Sequence, residues 1–212
     1  MDLFPVTVAV LTFNRLPYTR LCLESILANT RPGTYVLDVH DNGSTDGTVP
    51  YLKTLRNAGH LHNLTLARTN MGLSAGKNSL VRHATTKLVC LLDNDFQVEP
   101  RWLDRMVAVM AAEPRIMAVS PYSAMPNHHP SSVVGRHQVA GEEVVDLERL
   151  GGTMLISRQR YREVGGLPSG GKRRIHFAST PFWTNLRKRH PGRWTVTMDG
   201  LAVHLDEQED VR

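Results

Sequence analysis

Two carboxylates one residue apart close a run of five apolar residues: Leu88-Val89-Cys90-Leu91-Leu92 leads into Asp93-Asn94-Asp95. An uninterrupted apolar run reads as a strand buried on both faces, because neither face alternates with polar groups. A buried strand that stops at Asp-X-Asp delivers carboxylates to the carboxyl edge of a sheet, where open α/β sheets bind ligands. Two anionic oxygen donors at that edge suit a hard divalent cation, which could in turn hold a diphosphate. An isolated Asp-Asn-Asp is equally well a solvated turn. The neighbouring chemistry has to decide.

Three further polar clusters follow apolar runs. Thr12-Phe13-Asn14-Arg15 ends the run that starts at residue 6, and Asp41-Asn42-Gly43-Ser44-Thr45-Asp46-Gly47 ends the run 35–40. Asn70-Met71-Gly72-Leu73-Ser74-Ala75-Gly76-Lys77-Asn78 follows a weaker run, 62–68. In a parallel sheet successive strands bring their carboxyl ends to one edge, so the clusters should converge. The small residues of the third would let a ligand approach the backbone closely.

The elements between these clusters support such a sheet. Pro17 opens a helix whose Tyr18, Leu21, Cys22 and Ile26 form an apolar stripe, and Pro32-Gly33 ends it. Thr48 is the expected N-cap of a short helix ending near Gly59. Helices are expected over 73–84 and from Pro100, where Leu103, Met106, Val107 and Met110 repeat at helical spacing. Strands are expected over 116–122, 144–147, 153–157, 194–198 and 201–205, and a last helix over 180–189. The segment 121–141, with three prolines and His128-His129, has no clear period and reads as an excursion over the sheet edge. Strands alternating with helices indicate an α/β fold, a largely parallel central sheet covered on both faces. No repeat or linker divides the 212 residues, so one domain is expected.

Composition narrows the setting. No apolar run approaches the length needed to cross a bilayer, and Met1-Asp2-Leu3-Phe4-Pro5 lacks the basic start of a signal peptide, so a cytoplasmic protein is expected. Cys22 and Cys90 read as core thiols, with a bridge as the alternative. The net charge is +5, and no acid occurs between Glu163 and Asp199. That interval holds Lys172, Arg173, Arg174, Arg187, Lys188, Arg189 and Arg193, which points to an anionic partner or to a solvated basic face.

The four clusters together resemble the GT-A fold glycosyltransferases of the large inverting family 2, whose pattern is Thr-Tyr-Asn-Arg, Asp-Asp-Gly-Ser-Thr-Asp, Asn-X-Gly…Ala-X-Arg-Asn and Asp-X-Asp in that order. The match is good over residues 5–110 and looser after that, although the segment from Gly151-Gly152-Thr153 to Gly165-Gly166-Leu167 is similar to the family's acceptor side. The resemblance implies a Rossmann-like αβα sandwich with a nucleotide-sugar-binding half, 1–110, and an acceptor-side half, 111–212. It implies that Thr12, Asp41 and Asn42 bracket the base and ribose of a nucleotide-diphospho-sugar, a UDP-sugar first. Asn14, Arg15, Asn70, Gly72 and Asn78 are implied on the donor side. Lys77, in place of the family's arginine, would face the nucleotide or its phosphates, without arginine's planar fork. Asp93 would touch ribose or sugar, and Asp95 would ligate Mn²⁺ or Mg²⁺. His204 resembles a late metal-binding histidine, and a surface or packing histidine is the other reading. Gly152, Thr153, Trp183, Lys172, Arg173 and Arg174 would lie on the acceptor side.

The resemblance fails at the catalytic base. The family's Glu-Asp pair opens a late helix that here reads Ser179-Thr180-Pro181-Phe182-Trp183, with no carboxylate. Asp146, Glu148, Asp206 and Glu207 are substitute candidates. The other options are a reaction that needs no base, a retaining outcome, or a module that binds a nucleotide-sugar without transferring it. The basic interval also interleaves Phe177, Phe182, Trp183 and Trp194, so a nucleic-acid acceptor, with bases stacked on aromatics, is a further reading, although core packing is the more common explanation of Trp183 and Trp194. A nucleotidyltransferase is disfavoured, because no glycine-rich basic loop follows the first strand.

Overall fold

Every residue of the first strand, β1 (Val6–Thr12), is buried, as an apolar run covered on both faces must be. The computed structural model describes residues 6–121, 133–168 and 180–205. After β1 come α1 (Leu16–Asn29), β2 (Tyr35–Asp41), α2 (Thr48–Asn57), β3 (Asn63–Leu66), α3 (Leu73–His83) and β4 (Leu88–Asp93). Then follow β5 (Phe96–Val98), α4 (Trp102–Ala112), β6 (Ile116–Ser120), β7 (Val133–Val139), β8 (Glu142–Leu147), β9 (Met154–Ser157) and α5 (Arg158–Glu163). The described chain ends with α6 (Thr180–Arg189), β10 (Trp194–Thr197) and β11 (Ala202–His204).

Nine of the described strands form one sheet in the order β3-β2-β1-β4-β9-β6-β10-β8-β7. β3, β2, β1 and β4 are mutually parallel, β6 and β10 run with them, and only β9 and β8 are reversed within the sheet. The sheet is therefore largely parallel in strand direction, as expected. Alternate residues of each central strand feed two separate cores. Val8, Val10, Cys90 and Leu92 pack with Cys22 and Ile26 of α1, Leu52 of α2 and Trp102 of α4. Ala9, Leu11, Val89 and Leu91 pack with Leu80 of α3, Tyr161 of α5, and Phe182, Trp183 and Leu186 of α6. This is an αβα sandwich.

Three local expectations need correction. Leu21 is exposed and Leu23 replaces it on the buried stripe of α1. Gly47, at φ 95°, is the N-cap of α2, and Thr48 is its first residue. The segment 133–139, read as part of an aperiodic excursion, is the edge strand β7, paired antiparallel with β8. Cys22 and Cys90 are both free and buried, and burial pushes both thiols up. No described helix is long and apolar enough to cross a membrane. Expectations placed on Lys172, Arg173, Arg174, Phe177, Asp206 and Glu207 lie outside the described residues.

Candidate active site

The carboxyl ends of β1, β2, β3 and β4 meet at one edge, and side chains stitch their loops together. Asp41, fully buried, accepts from Thr12 Oγ1 at 3.0 Å and from the backbone N–H groups of Gly43 and Ser44 at 3.1 and 2.9 Å. Its second oxygen also accepts from the Ser44 hydroxyl. Asn14, in the left-handed region at φ 54°, accepts from Thr45 N–H at 2.8 Å, while its own N–H donates to Ser44 Oγ. Asn42 Nδ2 donates to Asn70 Oδ1 at 2.8 Å, and Asn42 Oδ1 accepts from Met71 N–H at 3.0 Å. Asn94 Nδ2 reaches back to Thr19 Oγ1 at 2.8 Å. Asp46 accepts from the N–H of Leu16 and from Thr48, tying together the starts of α1 and α2.

At the centre stands a buried cation. Lys77, on α3, has no exposed surface; its Nζ lies 2.7 and 2.8 Å from the two oxygens of Asp93 and donates to the Gly152 carbonyl at 3.0 Å. Thr153 Oγ1 adds a bond to Asp93 at 3.3 Å. The ammonium thus donates two hydrogen bonds, to Asp93 Oδ2 and the Gly152 carbonyl, and keeps an ion-pair contact with Asp93 Oδ1. Pairing β4 with the reversed β9, Leu91 opposite Met154, is what brings residues 152–153 beside Asp93. Gly152 has to be small: a Cβ there would sit 2.5 Å from Lys77 Nζ.

Asp95 is held differently. One oxygen, Oδ2, lies 3.5 Å from Arg15 Nη1 and 3.5 Å from His204 Nε2. The other, Oδ1, is buried without a hydrogen-bond partner. Burial first, then the negative charge of Asp93, raises the Asp95 carboxyl above its ordinary range, against the opposing pull of His204 and Arg15. His204 arrives through a separate two-stranded sheet, β5 with β11, in which it is paired with Phe96 at a ring separation of 5.0 Å. Leu205 N–H then donates to the Asp95 carbonyl at 2.8 Å.

The residue set fits a divalent cation at Asp95, since Oδ1 of that carboxylate is buried without a hydrogen-bond partner and the His204 imidazole lies 3.5 Å from its Oδ2. No third His, Cys, Asp or Glu joins them among the described residues. Magnesium-like ions are commonly held by one or two carboxylates, with substrate phosphates and water completing the shell.

The model of glycosyl transferase family 2 matches residues 7–164. The chain belongs to glycosyl transferase family 2. Among curated relatives, the glycosyltransferase GlyA of Streptococcus pneumoniae is 28% identical over 117 residues, which is 55% of this chain and 16% of GlyA. The glycosyltransferase AglE of Haloferax volcanii is 25% identical over 107 residues, 50% of this chain and 35% of AglE. The chain spans well under two thirds of the length of either. Among solved structures, the mannosyltransferase PcManGT from Pyrobaculum calidifontis, in complex with GDP-Man and Mn²⁺, aligns with a TM-score of 0.71 at 22% identity, covering 92% of this chain and 54% of that one. TarS 1-349 of S. aureus with UDP-GlcNAc gives 0.69 at 17% identity, covering 95% and 60%. At such identities the likeness establishes the fold.

Within this family 2 chain the structure brings together Thr12, Asn14, Arg15, Asp41, Asn42, Asn70, Lys77, Asp93, Asp95, Gly152, Thr153 and His204 at one edge, and Gly72 caps α3 there. Several expectations are corrected. Lys77 is turned inward to Asp93 and Gly152, and its buried Nζ faces these acceptors rather than the open edge where phosphates would lie. Asp41 spends its oxygens on Thr12 and on its own loop. Asn78 is engaged on the far side of α3, accepting from Tyr161 Oη and Leu167 N–H and donating to the Leu167 carbonyl. Asp146 is buried beneath Arg187, accepting from it and from Thr195 N–H at 2.9 Å each, and lies within β8 away from the edge; Glu148 is exposed. Trp183 is a core residue at 1% exposure, and Phe182 packs edge-on against it. Trp194 is sandwiched, with His137 stacked at 3.8 Å on one side and the Arg115 guanidinium 3.9 Å from its ring centre. No aromatic of the basic interval among the described residues is therefore open for base stacking.

Sequence reasoning passed over three exposed apolar side chains at the same edge: Phe13, Leu66 and Met71. Their signal was an apolar residue set at or beside a polar strand end.

Proposed function

We propose that this chain is a metal-dependent, inverting glycosyltransferase domain. It moves a sugar from a nucleotide-diphospho-sugar, a UDP-sugar in the first instance, to an acceptor hydroxyl. Residues 1–212 act as one unit, with donor recognition in 1–110 and the acceptor side in 111–212. The observation that carries this reading is the unequal pair at the end of β4: Asp93 is fixed by a buried lysine, while Asp95 keeps a buried oxygen without a partner beside His204. The donors captured with the structural neighbours, GDP-Man with Mn²⁺ and UDP-GlcNAc, support a nucleotide-sugar.

Asp95 and His204 hold Mn²⁺ or Mg²⁺, and imidazole favours manganese. When bound, that cation supplies Lewis-acid neutralisation of the charge developing on the leaving diphosphate. Asp93, its direction set by Lys77 and Thr153, accepts from ribose or sugar hydroxyls; Phe13, Leu66 and Met71 give the base an apolar surface. The stitched loops of Thr12, Asn14, Asp41, Asn42 and Asn70 keep the donor edge in one shape. The start of α6 supplies no base, since its first turn has no acid. The proton of the acceptor hydroxyl needs a base on the sugar face opposite the diphosphate, and Asp206 and Glu207, outside the described residues, are the remaining sequence candidates for it.

The test is UDP release from a panel of UDP-sugars with Mn²⁺, compared with Asp95→Ala. Release that depends on Asp95 supports transfer. Tight nucleotide binding with no release from any donor and acceptor makes the chain a binding module instead.

A further inference from the structure

The opposite edge of the sheet, where the parallel strands begin, carries a cavity of about 610 Å³ that the donor site does not use. That is the size of a small-molecule site. Leu88 at the start of β4 and Ile116 at the start of β6 give it an apolar floor, and its rim carries Arg160, Arg193, His190 and Glu163. The two arginines are pinned to one turn: Arg160 Nη1 donates to the Ile116 carbonyl at 3.1 Å, and Arg193 Nη1 donates to the carbonyl of Pro114. A guanidinium has five N–H donors in a rigid fork, so each pinned group still has donors to offer. Among the described residues the one acid on this rim, Glu163, lies 3.2 Å from His190 Nε2, in an alignment that makes no hydrogen bond. Two fixed cations therefore face one shared carboxylate, and the lining is net positive before His190 is counted. Burial, and then the charge of Arg193, holds the Arg160 guanidinium below its ordinary value, which is the effect of like charges brought together without enough counter-charge.

We propose that this cavity binds an oxyanion, the phosphate of a phosphomonoester, between Arg160 and Arg193, with the ester's apolar part resting on Leu88 and Ile116. A forked, pinned pair of guanidinium groups suits bidentate phosphate recognition better than a solvated lysine patch would. Such a ligand comes either from solution or from a lipid headgroup.

Two probes separate these sources: phenyl phosphate titrated calorimetrically at low salt, and sedimentation with phosphatidylcholine vesicles with or without phosphatidic acid. Arg193→Gln is expected to weaken binding at least tenfold, and Glu163→Gln to tighten it several-fold, since it removes the competing acid. UDP binding by the same variants reports whether the fold is intact. Binding of phenyl phosphate alone identifies a soluble ester, and sedimentation dependent on phosphatidic acid identifies a headgroup; either supports the site. The proposal is overturned if neither probe binds, or if binding is unmoved by both substitutions.

Discussion

Replacing Lys77 with methionine tests the centre of the site, because the substitution keeps the length of the side chain and removes only the ammonium. Lys77 is fully buried, and Asp93 keeps a quarter of its side-chain surface in solvent. Removing one partner of a buried ion pair costs about 3–5 kcal/mol, because the other charge is left uncompensated. Water can reach part of Asp93, which places the loss near the lower end, about 3 kcal/mol. For a chain of this size that lowers the melting temperature by roughly 6–12 °C. Urea denaturation followed by circular dichroism measures it, and the cycle Lys77→Met, Asp93→Asn and the double variant isolates the pair. The double variant should be more stable than the sum of the single losses predicts, by about 2 kcal/mol. A loss under about 1 kcal/mol, or additivity within about 0.5 kcal/mol, refutes the tie. Were Lys77 a phosphate ligand instead, Lys77→Met would weaken nucleotide binding and leave stability almost unchanged.

Asp95→Asn should lower transfer about a hundredfold or more, and should abolish the rise in melting temperature that Mn²⁺ with UDP gives the wild type. Gly152→Ala should cost about 1–3 kcal/mol in urea denaturation, because the new Cβ falls 2.5 Å from Lys77 Nζ and the clamped ammonium has to move. His40, on β2, is buried with both ring nitrogens unpartnered, and burial lowers its pKa from the ordinary 6.5. The unfolded chain therefore takes up the proton first: the stability that neutral His40 permits is complete above pH 6.5 and drains away as pH falls from 6.5 to the lowered value. His40→Leu should flatten the stability profile in that window, and an unchanged slope would contradict the assignment.

Much of the fold was legible because its signals are local. The runs that became β1 and β4 are almost wholly apolar, and that pattern has one common explanation, a strand covered on both sides. β2 carries Asp38 and His40 and was legible instead from its β-formers and the turn-forming cluster that ends it. β7 was missed for the opposite reason. Its residues alternate between half-buried and exposed, as an edge strand's do, and Gly135, Arg136 and His137 hide that alternation from a hydropathy reading. β5 is three residues long, too short for any period, and yet it is what brings His204 within 3.5 Å of Asp95. For Trp183 the core-packing alternative holds over the acceptor-side role: Phe182, Trp183 and Leu186 share the buried face of α6, which leaves the indole no route to an acceptor.

The roles of single motif residues were harder to read than the motif, and the reason is geometric. A sequence says that Lys77 lies near the carboxylates; it does not say that Gly152, 75 residues on, leaves the room that turns the ammonium inward. The same holds for Asn14, Asn42, Asn70 and Asn94, whose side chains bond to other segments, and for Asp41, which serves Thr12 and its own loop. Polar residues gathered at a strand edge have to satisfy the turns that carry them before they can serve a ligand, because buried backbone donors left unpaired cost about 1–3 kcal/mol each. Loops satisfied in this way are also rigid, and a rigid rim fixes where a donor can lie. The groups with capacity to spare are then few: the partly exposed Asp93, the orphaned oxygen of Asp95, and the apolar Phe13, Leu66 and Met71. In the proposed transfer, specificity for the base and affinity for the cation and diphosphate come chiefly from these.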